Sequence, residues 1–148
     1  MSKIKKLGYG VIVFDDVCHL RNMLTEVRPY CDEIVVCLQN ESYYGIPIDQ
    51  KIINHIGILV NEKLVDDVIW FVPKNLYEEE GKHSPRFVET DKRNFILDYL
   101  EDKGCSHCMV VDSDEYYDGD DFKHSRKLVE TTEKITVSYC QYINYYRD

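Results

Sequence analysis

The stretch GVIVF, residues 10–14, opens with glycine and continues as an unbroken run of apolar residues. A short run without polar alternation is typical of a β-strand that is buried on both faces. Asp15 and Asp16 follow at once, and either aspartate can cap a helix. Residues 20–27 then carry apolar side chains at helical spacing, and Pro29 is predicted to end that helix. The beginning of the chain is therefore predicted to form a strand followed by a helix.

This strand-and-helix unit is repeated along the chain. Further strands are predicted at residues 33–38, 68–72, 108–111 and 135–142, and further helices at residues 48–64, 90–104 and 118–132, with Thr90 as a helix cap. Residues 74–88 are predicted to be an irregular loop. Repeated βα units predict an α/β fold with a mostly parallel sheet and helices on both faces. No linker or internal repeat interrupts the pattern, so residues 1–148 are expected to form a single domain.

The charge balance limits the classes of partner. With 27 acidic and 18 basic residues the formal net charge is −9, which argues against a nucleic acid or an anionic membrane as the main partner. No apolar run approaches the roughly 20 residues of a membrane-spanning helix. No signal-peptide core follows the N-terminal lysines. We therefore expect a cytoplasmic protein without a membrane span.

The sequence DSDE, residues 112–115, directly follows the apolar strand at residues 109–111. Ligands of parallel sheets bind beyond the carboxyl ends of the strands, so Asp112 and Asp114 are candidate ligand-binding residues. Two carboxylates one residue apart suit Mg²⁺ or Mn²⁺, which take one or two carboxylates together with phosphate oxygens and waters. The competing interpretation is a polar turn whose side chains cap the next helix.

The sequence KRN at residues 92–94, the apolar helix and glycine turn after it, and MVVDSDE at residues 109–115 together resemble the GT-A glycosyltransferases, especially family 2. The resemblance implies a GT-A fold, which is a Rossmann-like fold of the nucleotide-diphospho-sugar transferase type. It also implies transfer of a sugar from a UDP- or GDP-sugar donor to an acceptor, with Mn²⁺ or Mg²⁺ at the DxD motif.

The resemblance further implies roles for individual residues. Asp114 would coordinate the metal, and Asp112 would bind the metal or its water shell, or contact the ribose. Arg93 would lie near the base or the diphosphate. The residues after the first two strands would hold the base and the ribose; these are Asp15, Gln39 and Asn40. Such enzymes place their acceptor site and catalytic base beyond the DxD motif, and 34 residues follow Asp114 here. The acceptor-binding half is therefore expected to be absent or minimal, and no catalytic base is assigned.

Two other functions are consistent with the pattern. A phosphohydrolase of the haloacid-dehalogenase type also uses Asp-x-Asp after a strand, with the first aspartate as nucleophile. A βα module that binds a nucleotide without turnover is the non-catalytic alternative. Cys105 and Cys108 form a Cys-x-x-Cys pair ahead of a strand, with no second pair to complete a zinc site.

Overall fold

The structure, a computed structural model, describes residues 5–73 and 85–131. Within these ranges four strands alternate with four α-helices. In chain order they are β1 (Leu7–Ile12), α1 (Leu20–Val27), β2 (Glu33–Gln39), α2 (Gln50–Asn61), β3 (Asp67–Phe71), α3 (Pro85–Asp102), β4 (His107–Asp112) and α4 (Gly119–Thr131), with a 3-10 turn at Arg28–Tyr30. The predicted strand at residues 135–142 lies outside the described residues.

The four strands form one parallel sheet in the order β3-β2-β1-β4. This confirms the predicted α/β class and its parallel sheet. β2 pairs with one side of β1, and β3 pairs with the far side of β2. β4 pairs with the other side of β1. The strand order therefore changes direction between β1 and β4, as it does at the centre of a Rossmann-like sheet.

Helices cover both faces of the sheet, as predicted. On one face α1, α2 and α4 pack against a core that includes Tyr9 and Val11 of β1 and Val36 of β2. On the other face α3 packs through Ile96 and Leu100 against a second core. Because successive strand residues point to opposite faces, a strand covered on both sides has no position reserved for polar side chains.

Two glycines in β1 allow α3 to approach the sheet closely. A Cβ at Gly8 would lie 2.9 Å from Cδ2 of Leu100, and a Cβ at Gly10 would overlap the side chain of Ile96. Both glycines therefore leave room for the apolar face of α3. Gly8 interrupts the apolar pattern ahead of residue 10, so the predicted strand at residues 10–14 began later than β1, which begins at Leu7 and ends at Ile12.

The predicted start of α3 was wrong. The helix begins at Pro85, so Thr90 lies inside it and the first turn occupies part of the segment predicted as a loop. Proline suits the first turn of a helix, where its missing N–H leaves no hydrogen bond unmade.

Helix α2 is shorter than predicted at both ends. Asp49 caps its beginning by accepting a hydrogen bond from the backbone N–H of Lys51, and Lys63 stands just beyond its end with a φ of 60°. Within the described ranges no helix is both long and apolar enough to cross a lipid bilayer.

Candidate functional site

The candidate site lies at the carboxyl ends of β1 and β4. These two strands pair in parallel over their length, and the pairing ends with Ile12 opposite Asp112. The strand order reverses between them, and ligands of parallel sheets bind beyond the carboxyl ends of the strands at such a point. The helices that follow β1 and β4 both lie on the face that also carries α2, whereas α3 lies on the other face. The structure thus places Asp15, Asp112 and Asp114 beyond the ends of two neighbouring strands at the expected ligand-binding position.

A turn follows β4, closed by a hydrogen bond of 3.2 Å from the backbone N–H of Glu115 to the carbonyl of Asp112. The side chain of Asp112 is half-exposed, and Asp114 is exposed. The helix after the turn is capped by Asp118, which accepts hydrogen bonds from the N–H groups of Asp120 at 2.9 Å and Asp121 at 3.2 Å. Asp118 therefore performs the capping role that the competing interpretation gave to the aspartates at the strand end.

Arg93 of α3 reaches across to the end of β4. Its Nη2 lies 3.0 Å from Oδ1 and 3.1 Å from Oδ2 of Asp112, and its Nη1 donates to the carbonyl of Val110 at 3.3 Å. The structure therefore brings together two of the residues that the sequence singled out. They meet because α3 begins at the carboxyl edge of the sheet and its first turns run beside the end of β4.

Glu89 holds Arg93 from the other side. Its Oε1 lies 3.1 Å from Nε of Arg93, one helical turn away, while its Oε2 accepts a hydrogen bond of 2.9 Å from the hydroxyl of Tyr43. Nζ of Lys92 lies 3.6 Å from the same Oε2 and 5.4 Å from the centre of the Tyr43 ring. The Lys92 side chain is 7% exposed, so its charge is balanced mainly by Glu89 and by the face of the tyrosine ring.

Burial, together with the Glu89 carboxylate that accepts its hydrogen bond, raises the pKa of Tyr43. Its hydroxyl therefore stays protonated at neutral pH and remains a donor. The buried Cys37 thiol has a pKa raised to about 12 by desolvation, which the nearby Lys92 charge only partly offsets. This thiol is therefore protonated and unreactive at neutral pH.

Sequence reasoning missed Tyr43 and Glu89. Glu89 stood between the predicted loop at residues 74–88 and the predicted helix cap Thr90, although its i,i+3 and i,i+4 spacing to Lys92 and Arg93 is a helical signal. Tyr43 joins the network through a contact with a residue 46 positions away, and no local pattern encodes such a contact.

The remaining predicted residues differ in their surroundings. The Gln39 side chain is buried, and its amide donates to the carbonyl of Glu41 at 2.6 Å, so it serves the turn after β2. Asn40 is exposed beyond the end of that strand. Asp15 is also exposed, whereas Asp16 accepts a hydrogen bond of 2.8 Å from the backbone N–H of Cys18, and that bond lowers its pKa.

The carboxylates at the strand end limit the kind of cation site that the described residues can form. Within residues 5–73 and 85–131 no cluster of three or more His, Cys, Asp or Glu side chains is arranged to enclose a metal ion. Asp112 and Asp114 offer two carboxylate side chains at the carboxyl end of β4. Such a donor set suits a hard cation whose coordination is completed by phosphate oxygens and water, as Mg²⁺ is usually bound.

No family model, curated protein or solved structure matches the chain at a significant level. We therefore infer function from the geometry of the strand-end site and from the chemistry of its side chains.

Proposed function

We propose that the chain binds the diphosphate of a nucleotide sugar together with Mn²⁺ or Mg²⁺, and that it is the donor-binding part of a GT-A-type glycosyltransferase. The observation that carries the proposal is the guanidinium of Arg93 beside Asp112, where the strand order of the sheet reverses. An arginine that can bind phosphate thus stands next to a carboxylate pair that can bind a cation. A diphosphate with its counter-cation requires both.

The proposed reaction makes use of both charges. The bond between the sugar anomeric carbon and the diphosphate oxygen breaks, and its electron pair leaves with the diphosphate. An acceptor hydroxyl forms the new bond to that carbon and gives up its proton. The cation would stabilise the negative charge that develops on the departing diphosphate. The guanidinium of Arg93 would act on the same charge through N–H donors fixed in direction by Glu89.

The exposed side chains provide the rest of the proposed donor site. Asp114 would bind the cation, and Asp112 would bind the cation, its water shell or the ribose. Asp15 and Asn40, exposed beyond β1 and β2, would contact the base and ribose. The buried Gln39 would act indirectly, by shaping the turn that presents Asn40.

The phosphohydrolase alternative would use the same carboxylate at the end of β4. That chemistry needs a carboxylate oxygen of Asp112 to attack phosphorus and form an aspartyl-phosphate. Detection of a covalent aspartyl-phosphate after incubation with a phosphate ester would favour that alternative.

Calorimetric titration of UDP and of GDP, each with Mn²⁺ and with EDTA, tests the proposal. We expect Mn²⁺-dependent binding that Asp114→Ala abolishes. Asp98→Ala is the matched control, because Asp98 is an exposed aspartate near the other end of α3, and it should bind as the wild type does. If neither nucleotide binds under any metal condition, the proposal is wrong.

Incubation with UDP-glucose and analysis of the products then separates enzyme from binding module. Slow release of UDP would support transfer chemistry with water as acceptor. Tight nucleotide binding without release of UDP would favour the non-catalytic module.

A further inference from the structure

We infer that Arg93 and Asp112 form an exchangeable pair, in which a bound diphosphate draws the guanidinium of Arg93 toward itself and so releases Asp112 to the cation. This inference rests on the proposed function and adds to it a rule for how the two ligands bind. The cation and the phosphate-bearing ligand then strengthen each other's binding, because each removes an obstacle to the other. The coupling resides in one ion pair and needs no movement of the sheet.

Asp112 is already paired with Arg93. Nη2 of Arg93 contacts both carboxylate oxygens, so a cation that arrives alone meets oxygens shared with a positive group. The Arg93 and Asp112 side chains are 35% and 45% exposed. Ion pairs this accessible to water are weak and exchange readily. A ligand that binds Arg93 more strongly than Asp112 does can therefore break the ion pair and free Asp112 for a cation.

Arg93 can also offer donors to a phosphate. A guanidinium carries five N–H groups. Within the described part of the chain Nε contacts Glu89, Nη1 donates one hydrogen bond to Val110, and Nη2 donates to both oxygens of Asp112. The second N–H of Nη1 is thus left for a ligand, and the N–H groups of Nη2 join it once Nη2 leaves Asp112. Two parallel N–H groups match the geometry of phosphate oxygens.

Glu89 holds Arg93 in place while Arg93 exchanges partners. Glu89 is fixed by Tyr43 at 2.9 Å and lies 3.6 Å from the buried ammonium of Lys92. Its Oε1 can therefore keep Nε of Arg93 in place while the terminal nitrogens turn from Asp112 to a phosphate. Glu89 is in this sense a positioning residue for Arg93.

The formal charges of Glu89, Lys92, Arg93 and Asp112 sum to zero, and Asp114 brings the sum to −1. A diphosphate alone would add negative charge beside Asp112 and Asp114, and a divalent cation offsets that charge. A cation alone would add positive charge beside Arg93, and the diphosphate offsets it. Each ligand thus removes a repulsion that the other meets, which is the electrostatic condition for positive coupling.

The test is Mn²⁺ binding followed by the electron paramagnetic resonance signal of free Mn²⁺, with and without UDP. Protein-free samples measure the Mn²⁺–UDP complex that forms in solution. Without UDP, Arg93→Gln should lower the Mn²⁺ dissociation constant by about fivefold or more, because the competitor for Asp112 is gone. With UDP, the further tightening should be severalfold smaller in Arg93→Gln than in the wild type.

Two further variants serve as controls. Arg93→Lys keeps the positive charge but loses the guanidinium contacts, so it too should bind Mn²⁺ alone more tightly than the wild type. Arg21→Gln removes an arginine of α1 whose ion pair is with Glu62, just beyond the end of α2, and it should leave Mn²⁺ binding unchanged.

The outcomes separate this inference from the proposed function. A wild type that binds neither Mn²⁺ nor UDP overturns both. If Mn²⁺ and UDP bind to the wild type but Arg93→Gln binds Mn²⁺ alone no more tightly, the exchange is refuted and the proposed function stands. An Arg93→Lys variant that matches the wild type would show that charge alone acts, which also refutes the exchange.

Discussion

The hydroxyl of Tyr43 donates a hydrogen bond of 2.9 Å to Oε2 of Glu89 and so ties the loop after β2 to the first turns of α3. The other oxygen of Glu89 contacts Arg93, which contacts Asp112 at the end of β4. A chain of polar contacts thus runs from the loop after β2, across α3, to the strand end where the ligand is proposed to bind. The direction in which Arg93 presents its donors depends on this chain.

Replacing Tyr43 by phenylalanine removes the hydrogen bond and keeps the ring that lies beside Lys92. We expect UDP to bind severalfold more weakly in the presence of Mn²⁺, because Glu89 and then Arg93 lose a constraint. The free energy of unfolding should fall by about 1.5–3 kcal/mol, the net value of one hydrogen bond to a charged group. Calorimetry and urea unfolding measure the two effects. Tyr44→Phe is the control, since Tyr44 is 86% exposed, and an unchanged affinity in Tyr43→Phe would contradict the assigned role.

Glu89→Gln separates a positioning role from a simple charge effect. Removing a negative charge near an anion site should strengthen UDP binding if only Coulomb energy matters. If Glu89 positions Arg93, binding should weaken, because a neutral amide holds the guanidinium less firmly than a carboxylate does. Calorimetric titration of UDP at saturating Mn²⁺ gives the sign. Glu101→Gln, an exposed glutamate at the far end of the same helix, shows the effect of a charge change alone. A Glu89→Gln variant that binds UDP more tightly would rule out the positioning role.

Much of the fold could be predicted from the sequence because its strands are short apolar runs, which can be recognised without knowledge of the neighbouring elements. The two central strands, β1 and β2, are buried on both faces, and β4 is mostly half-buried. The contact between Arg93 and Asp112 was harder to predict from the sequence. The sequence placed Arg93 on a helix and Asp112 at a strand end, and only the resemblance linked them to one site.

What could not be predicted depended on distant partners. Leu7 belongs to β1 because its N–H and carbonyl pair with Asp32, 25 residues along the chain. The buried environment of Lys92 comes from Tyr43 in a different loop. Local propensity carries no record of such neighbours, so a buried lysine could not be distinguished from a solvent-exposed one.

Two glycine-to-alanine substitutions should change the free energy of unfolding in opposite directions, because Gly10 lies against α3 and Gly57 lies in open space. Gly10→Ala places a Cβ against the buried side chain of Ile96, and overpacking of this kind costs about 1–3 kcal/mol. Gly57→Ala in α2 meets no atom within 4 Å and should stabilise the protein by up to about 1 kcal/mol through helix propensity. Urea unfolding of both variants measures the difference. A Gly10→Ala variant as stable as the wild type would mean that α3 does not pack against β1 as closely as described.

Asp32 lies just before β2, at the amino ends of the strands, and should make the stability of the fold depend on pH in the acid range. Oδ2 of Asp32 accepts a hydrogen bond of 2.7 Å from the N–H of Leu7 and one of 2.6 Å from Arg126 of α4. Burial alone would raise the pKa of Asp32, but the hydrogen bonds to Leu7 and Arg126 outweigh it and lower that pKa. A carboxylate whose pKa is lower in the folded than in the unfolded protein stabilises the fold above its unfolded pKa, about 3.9, and this contribution is lost as the pH falls through the folded value.

Asp32→Asn should therefore reduce the free energy of unfolding at pH 7, and its difference from the wild type should shrink as the pH falls below about 4. Urea unfolding at several pH values from 7 downward measures the difference. Asp98→Asn, at an exposed position on α3, should be as stable as the wild type at pH 7. A deficit in Asp32→Asn that stays constant as the pH falls well below 4 would show that the ionised carboxylate is not what joins the start of β1 to α4.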